Sequence, residues 1–223
     1  MEYGYFDNQN REYVITRPDT PAPWMNYLGT GQFSGIISNT AGGLVFYKDP
    51  SSHRITRYRF NEVPCDRPGR YLYLRDMQDG EYWSPTWQPV QKELEDYECR
   101  HGYGYTKIKG SYRGIESNIT YFIPLGKKYE LWRVELSNRT EQARTLRAFT
   151  YMEFSSYVAD YDIKADWPRY FMTGFREGNA AVFDPSNDWI HVPERLSFIG
   201  TNIYISGYDC DRGVFIGRYR SES

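Results

Sequence analysis

Apolar and polar residues alternate along this chain with a period of two, the spacing of a strand with one face buried, and helical spacing is nearly absent. "SGIISNTAGGLVFYKD" predicts two strands joined around Asn39 to Gly43, a hairpin signal. "HRITRYRFNEV" separates Ile55, Arg57 and Arg59 from Thr56, Tyr58 and Phe60. "GRYLYLRD" alternates again before the turn "DMQDGE", and "YTKIKGSYRGIESNITYFIPLG" predicts a hairpin turning near Gly110 to Gly114. "YELWRVELSNRT", "ARTLRAFTYMEFSSYV", "AAVFDP", "LSFIGTNIYISGYD" and "GVFIGRY" extend the run of strands. The best helical candidate, "PVQKELEDYECR", is short, and its flanking proline and aromatics favour a loop or an edge strand. Many short strands with frequent turns and no βαβ spacing predict an antiparallel all-β sandwich, with residues 1–223 in one domain.

Composition adds one anomaly. Aromatic residues make up 18% of the chain and 22 are tyrosines, which suits half-buried strands and equally suits stacking on sugar rings. A net charge of −2 from 27 basic and 29 acidic residues, with no block of one sign, gives no footprint for a nucleic-acid partner. No apolar run is long enough for a membrane span, and the polar start "MEYGYFDNQN" does not read as a signal peptide, so the expected compartment is the cytoplasm. Cys65, Cys99 and Cys210 are far apart and odd in number, as expected of reduced thiols.

Candidate chemistry is sparse. His101, in "YECRHGYGYT", has no Ser, Cys or Asp partner at a readable spacing, and Cys99 with His101 falls short of a metal site, so a structural role is expected. Asp66, Asp76 and Asp79 lie near one another, but turn chemistry accounts for aspartates there. Trp83 and Trp87, around Pro85, share a face of an extended chain as a core plug or a sugar platform. The proline-rich "TRPDTPAPWMNYLG" predicts an extended strap over a sheet, with a ligand platform of Trp24 and Tyr27 as the alternative.

"GYFDNQNREYVITRPDTPAPWMNYLG", "ISNTAGG", "RITRYRFNEVP", "YWSPTWQPV", "YECRHGYGYTKI", "FIPLG" and "WRVELSN" occur in an order that resembles the N-terminal region of the inverting disaccharide phosphorylases of glycoside hydrolase family 94. The resemblance implies a large two-sheet β-sandwich, a galactose-mutarotase-like supersandwich, cut short before the helical linker and the catalytic α/α barrel. It implies an activity for the parent enzyme: reversible phosphorolysis of a β-linked disaccharide to a sugar 1-phosphate and a free sugar. Inorganic phosphate is the co-substrate that attacks the anomeric carbon, one barrel aspartic acid protonates the leaving oxygen, and no cofactor is required. No catalytic residue is then expected within the chain, nor a metal.

The same resemblance implies a homodimer through the sandwich, in which a loop of one subunit reaches its partner's acceptor-sugar site. The matching stretch here is "ADYDIKADWPRYFMTG". Arg169 falls where relatives carry an arginine bordering the acceptor, and Trp167 and Tyr170 flank it where they can stack on the sugar. Pairing of Arg169 with Asp160, Asp162 or Asp166 is the structural alternative. The acceptor stays open among glucose, N-acetylglucosamine and an aldonic acid. A stand-alone carbohydrate-binding sandwich without catalysis is the rival function, and a remnant that binds nothing is the third.

Overall fold

In the computed structural model, residues 2–29, 31–60, 65–160, 173–185 and 196–223 are described. Their strands, numbered in chain order, form four antiparallel sheets. The largest runs β1-β2-β9-β10-β11-β12, built from Gly4–Asp7, Glu12–Ile15, Asp96–Gly102, Tyr105–Tyr112, Ile115–Phe122 and Leu131–Asn138. A five-stranded sheet follows the order β14-β6-β5-β4-β3, from Phe154–Tyr157, Arg54–Thr56, Gly43–Tyr47, Phe33–Ser38 and Met25–Leu28. A three-stranded sheet sets β7 (Tyr71–Asp76) between β13 (Leu146–Tyr151) and β8 (Tyr82–Trp83). Another joins β15 (Thr173–Glu177), β16 (Ala180–Asp184) and β17 (Ser197–Gly200). A short helix, α1 (Arg212–Ile216), lies near the end of the chain.

The core explains why the six-stranded sheet is a layer of a sandwich. Ile15, Cys99, Ile108, Ile115, Ile119 and Tyr121 from that sheet pack in one cluster with Leu28, Ile37 and Val45 of the five-stranded sheet and Leu72, Leu74 and Trp83 of β7 and β8. β11 shows the cause in its sequence. Ile115, Ser117, Ile119 and Tyr121 are buried and the intervening residues are not. Each isoleucine so buried contributes roughly 2–3 kcal/mol. A slip of one residue in register would turn the whole set toward solvent. The turn between β10 and β11 fits the same twist, since Arg113 (φ 51°) and Gly114 (φ 72°) both adopt the left-handed backbone of a two-residue hairpin.

Most predicted strands are present, and the departures have physical reasons. Gly110 is inside β10, paired with Tyr97 and Ser117, and not at the turn. A Cβ there would stand 2.3 Å from the Pro85 carbonyl oxygen, so close backbone approach selects glycine. The alternation over residues 55–60 gives only three strand residues, Arg54–Thr56. Arg57, assigned by parity to the same face as Ile55 and Arg59, is held instead by Glu153 at 2.9 Å. The half of "PVQKELEDYECR" that is a strand, β9, lies inside its sheet between β2 and β10, not at an edge. "GVFIGRY" forms α1 instead of a strand, because the Asp211 side chain caps it by accepting from the Gly213 and Val214 amides. Phe215 of α1 packs 5.2 Å from the Tyr151 ring and 6.2 Å from Tyr73. Within "LSFIGTNIYISGYD" only Ser197–Gly200 is extended.

Candidate functional site

The outer face of the six-stranded sheet carries a polar trough of about 350 Å³. Strand alternation creates it. Cys99, Ile108 and Ile119 point to the core, so their neighbours Glu98, Arg100, Lys107, Lys109 and Asn118 point the other way. Glu12 from β2 and Tyr105 from β10 close one end. Arg100 is the hub. Its Nε donates to Glu98 Oε1 at 2.6 Å, and Nη1 donates to Glu12 Oε2 at 3.0 Å and to Asp7 Oδ2 at 3.2 Å. Glu12 also accepts from the Tyr105 hydroxyl at 2.7 Å and from Lys107 Nζ at 3.4 Å.

These contacts set the protonation states. Burial pushes the Glu12 carboxyl up, but Tyr105, Arg100 and Lys107 together outweigh it and hold the group below its ordinary value. The hydrogen bond to Glu12 lifts the Tyr105 phenol to about 12. Glu12 is therefore an ionised acceptor at neutral pH and not a proton donor. The trough offers fixed donors, fixed acceptors and one aromatic ring, a set that suits the hydroxyl groups of a neutral sugar better than a highly charged ligand. Charged residues alternating on the strands that flank the aromatic positions were its signal in the sequence, and no single residue marked it.

Two buried polar clusters support the scaffold. Asp66, 3% exposed, accepts from Ser38 Oγ at 2.5 Å, Thr40 Oγ1 at 2.6 Å and Tyr58 OH at 2.8 Å. Burial raises its carboxyl pKa despite these donors. Nearby, Arg70 donates to both Glu130 oxygens, at 2.5 and 2.8 Å, and to the Ile36, Gly42 and Leu44 carbonyls. It thereby stitches β4 and β5 to the segment leading into β12. At the far end, Glu153 holds Arg57 at 2.9 Å and Arg212 at 2.8 Å, and Arg212 continues to Glu222 at 2.6 Å. Burial works against ionisation of Glu153, but Arg57, Tyr151 and Arg212 prevail and keep its carboxyl below the ordinary range.

His101 takes the structural role expected of it. Its Nε2 lies 3.0 Å from the Trp24 carbonyl oxygen, which only accepts, so Nε2 carries the proton. Nδ1 lies 2.9 Å from Thr106 Oγ1, and Thr106 in turn accepts from Asn26 at 3.1 Å. Burial depresses the imidazole to about 4, so the ring is neutral and ties β9 to the strap leading into β3. Asp76 and Asp79 act in turns, accepting from the Gln78 and Glu81 amides, whereas Asp66 is the buried acceptor described above. Trp83 is a core residue at 1% exposure, but Trp87, at φ 70°, breaks the extended path that would have set both indoles on one face. Trp24 packs on Tyr13 while Tyr27 is 76% exposed, so the two do not form one platform. Trp167, Arg169 and Tyr170 lie outside the described residues, in the sequence between β14 and β15. Among the described residues no group of three His, Cys, Asp or Glu side chains could hold a metal, and no helix is long and apolar enough to cross a membrane.

Comparison with known proteins gives this architecture its relatives. Residues 11–223 match the model of the glycosyl hydrolase 94 supersandwich domain. The chain is 44% identical over its whole length to N,N'-diacetylchitobiose phosphorylase of Vibrio furnissii and spans 28% of that protein. It is 28% identical, over 97% of its length, to solabiose phosphorylase of Paenibacillus borealis, again spanning 28% of the relative. A 3-O-beta-D-glucopyranosyl-beta-D-glucuronide phosphorylase from the same organism is 41% identical over 66% of the chain, which covers 18% of that protein. An all-β, antiparallel sandwich with this sequence belongs to the glycosyl hydrolase 94 family, of which the chain carries the supersandwich domain.

Proposed function

We propose that this domain serves an inverting glycoside phosphorylase that cleaves N,N'-diacetylchitobiose with inorganic phosphate, in the cytoplasm and without a cofactor. The observation that carries the reading is the 44% identity, over the whole chain, to the diacetylchitobiose enzyme, against 28% to the solabiose enzyme. Phosphate oxygen forms the new bond to the anomeric carbon as the bond to the leaving oxygen breaks. The proton that the leaving oxygen needs comes from an acid outside this chain. Three carboxylates of the chain are engaged in the scaffold: Glu12 and Glu153 are held ionised by cations and hydroxyls, and Asp66 accepts from three hydroxyl donors.

The domain's own part is to assemble the dimer and to border the acceptor sugar through Arg169, with Trp167 and Tyr170 beside it. A planar guanidinium holds two hydroxyls, or a hydroxyl and an acetamido oxygen, at fixed spacing. The test grafts the chain in place of the matching segment of the Vibrio furnissii enzyme. Arg169→Ala in that graft should raise KM for N-acetylglucosamine in the synthetic direction roughly tenfold, the effect of losing one charged hydrogen bond. KM for the sugar 1-phosphate should stay the same. Equal effects on both substrates would remove Arg169 from the acceptor site. The trough around Arg100 favours a second reading, a surface that binds chito-oligosaccharides without chemistry. Calorimetric titration of the chain with a chito-oligosaccharide, and with its Tyr105→Ala variant, decides that reading, since no heat of binding in either rules it out.

A further inference from the structure

Glu153 stands where the chain passes from one sheet to another. β13 ends at Tyr151 in the three-stranded sheet beside β7, and β14 begins at Phe154 in the five-stranded sheet beside β6. The passage is held through both main chain and side chain. The Glu153 carbonyl oxygen accepts from the Arg57 amide at 2.9 Å, and its carboxylate accepts from Arg57 Nη1 at 2.9 Å, from Arg212 Nε at 2.8 Å and from the Tyr151 hydroxyl. The side chains of Arg57 and Glu153 are only 9% and 11% exposed, so salt screens the pair little. Past the end of β14, the Ala159 amide donates to the Ser51 carbonyl at 2.8 Å. β14 is thus fixed at its start and just beyond its end.

Beside this anchor, Phe154 stacks on Phe183 of β16, with ring centroids 5.0 Å apart and planes inclined by 13°. Phe183 stands opposite Gly174 of β15 in the ladder of that hairpin. The stack therefore joins two sheets: the five-stranded one through β14 and the three-stranded one of β15, β16 and β17. In the sequence, Trp167, Arg169 and Tyr170 fall between β14 and β15, outside the described residues. Both described flanks of their stretch are accordingly tied to one another by a ring contact and to the scaffold by Glu153. Fixing the ends of a stretch reduces the conformations open to its middle, and a binding group that starts near its bound position loses less affinity to ordering.

We propose that the Phe154–Phe183 stack, anchored at Glu153, positions the acceptor-binding stretch, so that these residues tune recognition of the acceptor sugar by acting through Arg169. They are positioning residues and make no bond to the sugar. The inference rests on the acceptor role proposed above and deepens it.

The test uses the Vibrio furnissii enzyme with this chain grafted over its matching segment, and compares it with Arg169→Ala, Phe183→Ala, Phe183→Leu and the double variant Arg169→Ala/Phe183→Ala. Phe183 belongs to a strand outside the acceptor stretch, so an effect on acceptor binding must be transmitted. Phe183→Ala should raise KM for N-acetylglucosamine roughly three- to tenfold, the worth of one aromatic pair, and leave KM for the sugar 1-phosphate unchanged. Phe183→Leu, which keeps an apolar contact, should recover part of the loss. In the double variant the acceptor KM should be no higher than in Arg169→Ala alone, since nothing is left to position. Thermal melting checks that each variant is folded, and if Phe183→Ala is not, Phe183→Leu takes its place in both comparisons. Additive rises in the double variant, an equal rise for both substrates in Phe183→Ala, or no rise at all in that variant would overturn the positioning role while the acceptor reading stands on Arg169→Ala. An unchanged acceptor KM in Arg169→Ala would overturn both.

Discussion

Arg70 illustrates how much of this fold depends on single buried cations. Its guanidinium, 2% exposed, satisfies one carboxylate and three main-chain carbonyls, and its removal leaves the buried Glu130 carboxylate without its cation. Arg70→Ala should therefore destabilise the chain by about 3–5 kcal/mol in denaturant unfolding, the usual loss when a buried ion pair is broken from one side. Arg70→Lys should recover only part of that, because an ammonium cannot span both Glu130 oxygens and the carbonyls of β4 and β5 together. His101 makes a prediction about pH. Its folded pKa of about 4 lies below the ordinary 6.5, so the unfolded chain takes up a proton that the folded chain refuses. Its contribution is present in full above pH 6.5 and is lost as pH falls toward 4, by up to about 3 kcal/mol. Melting followed across this window, beside a His101→Gln variant that cannot titrate there, should show the steeper fall in the parent. At this scale the sequence was partly legible. The isolation of His101 announced a structural histidine, whereas Asp66 resembled a turn aspartate because two of its hydroxyl partners, Ser38 and Thr40, come from a distant segment.

At the scale of elements, strict alternation was a sufficient guide wherever one face met the core and the other met water. β10 and β11 fit that case, and their hairpin was legible, with its turn at Arg113 and Gly114 at the end of the predicted Gly110 to Gly114. The error at Gly110 has a general cause: a glycine reads as a turn signal unless something unseen crowds it. Gly110→Ala tests this, since its Cβ must displace the Pro85 carbonyl from 2.3 Å. The expected loss is about 1–3 kcal/mol by overpacking, measured by thermal or denaturant unfolding, and a neutral outcome would remove the close approach as the reason for glycine. α1 was illegible for a different reason. Val214, Phe215 and Ile216 favour a strand, and what overrides them is the Asp211 cap and the docking of Phe215 on Tyr151 and Tyr73. Asp211→Ala should cost about 1 kcal/mol locally and speed hydrogen exchange at Gly213 and Val214 with little change at β11.

For the molecule as a whole, the order of many short motifs was more informative than any one of them, and the domain match from residue 11 to 223 agrees with it. The trough was less legible than the fold because its residues are far apart in sequence, whereas Trp167, Arg169 and Tyr170, singled out for acceptor binding, come from one stretch that lies outside the described residues. The trough around Arg100 is assembled from four strands and the turn at Asn10. The chain spans only 28% of the Vibrio furnissii enzyme it matches. The proposal that this sandwich serves a diacetylchitobiose phosphorylase is open to direct test. The most direct measurement is phosphorolysis of N,N'-diacetylchitobiose by two proteins. One is the chain alone, and the other is the Vibrio furnissii enzyme with this chain grafted over its matching segment. Sugar 1-phosphate is expected from the graft and none from the chain alone. Release by the chain alone, or a folded graft without activity, would contradict it.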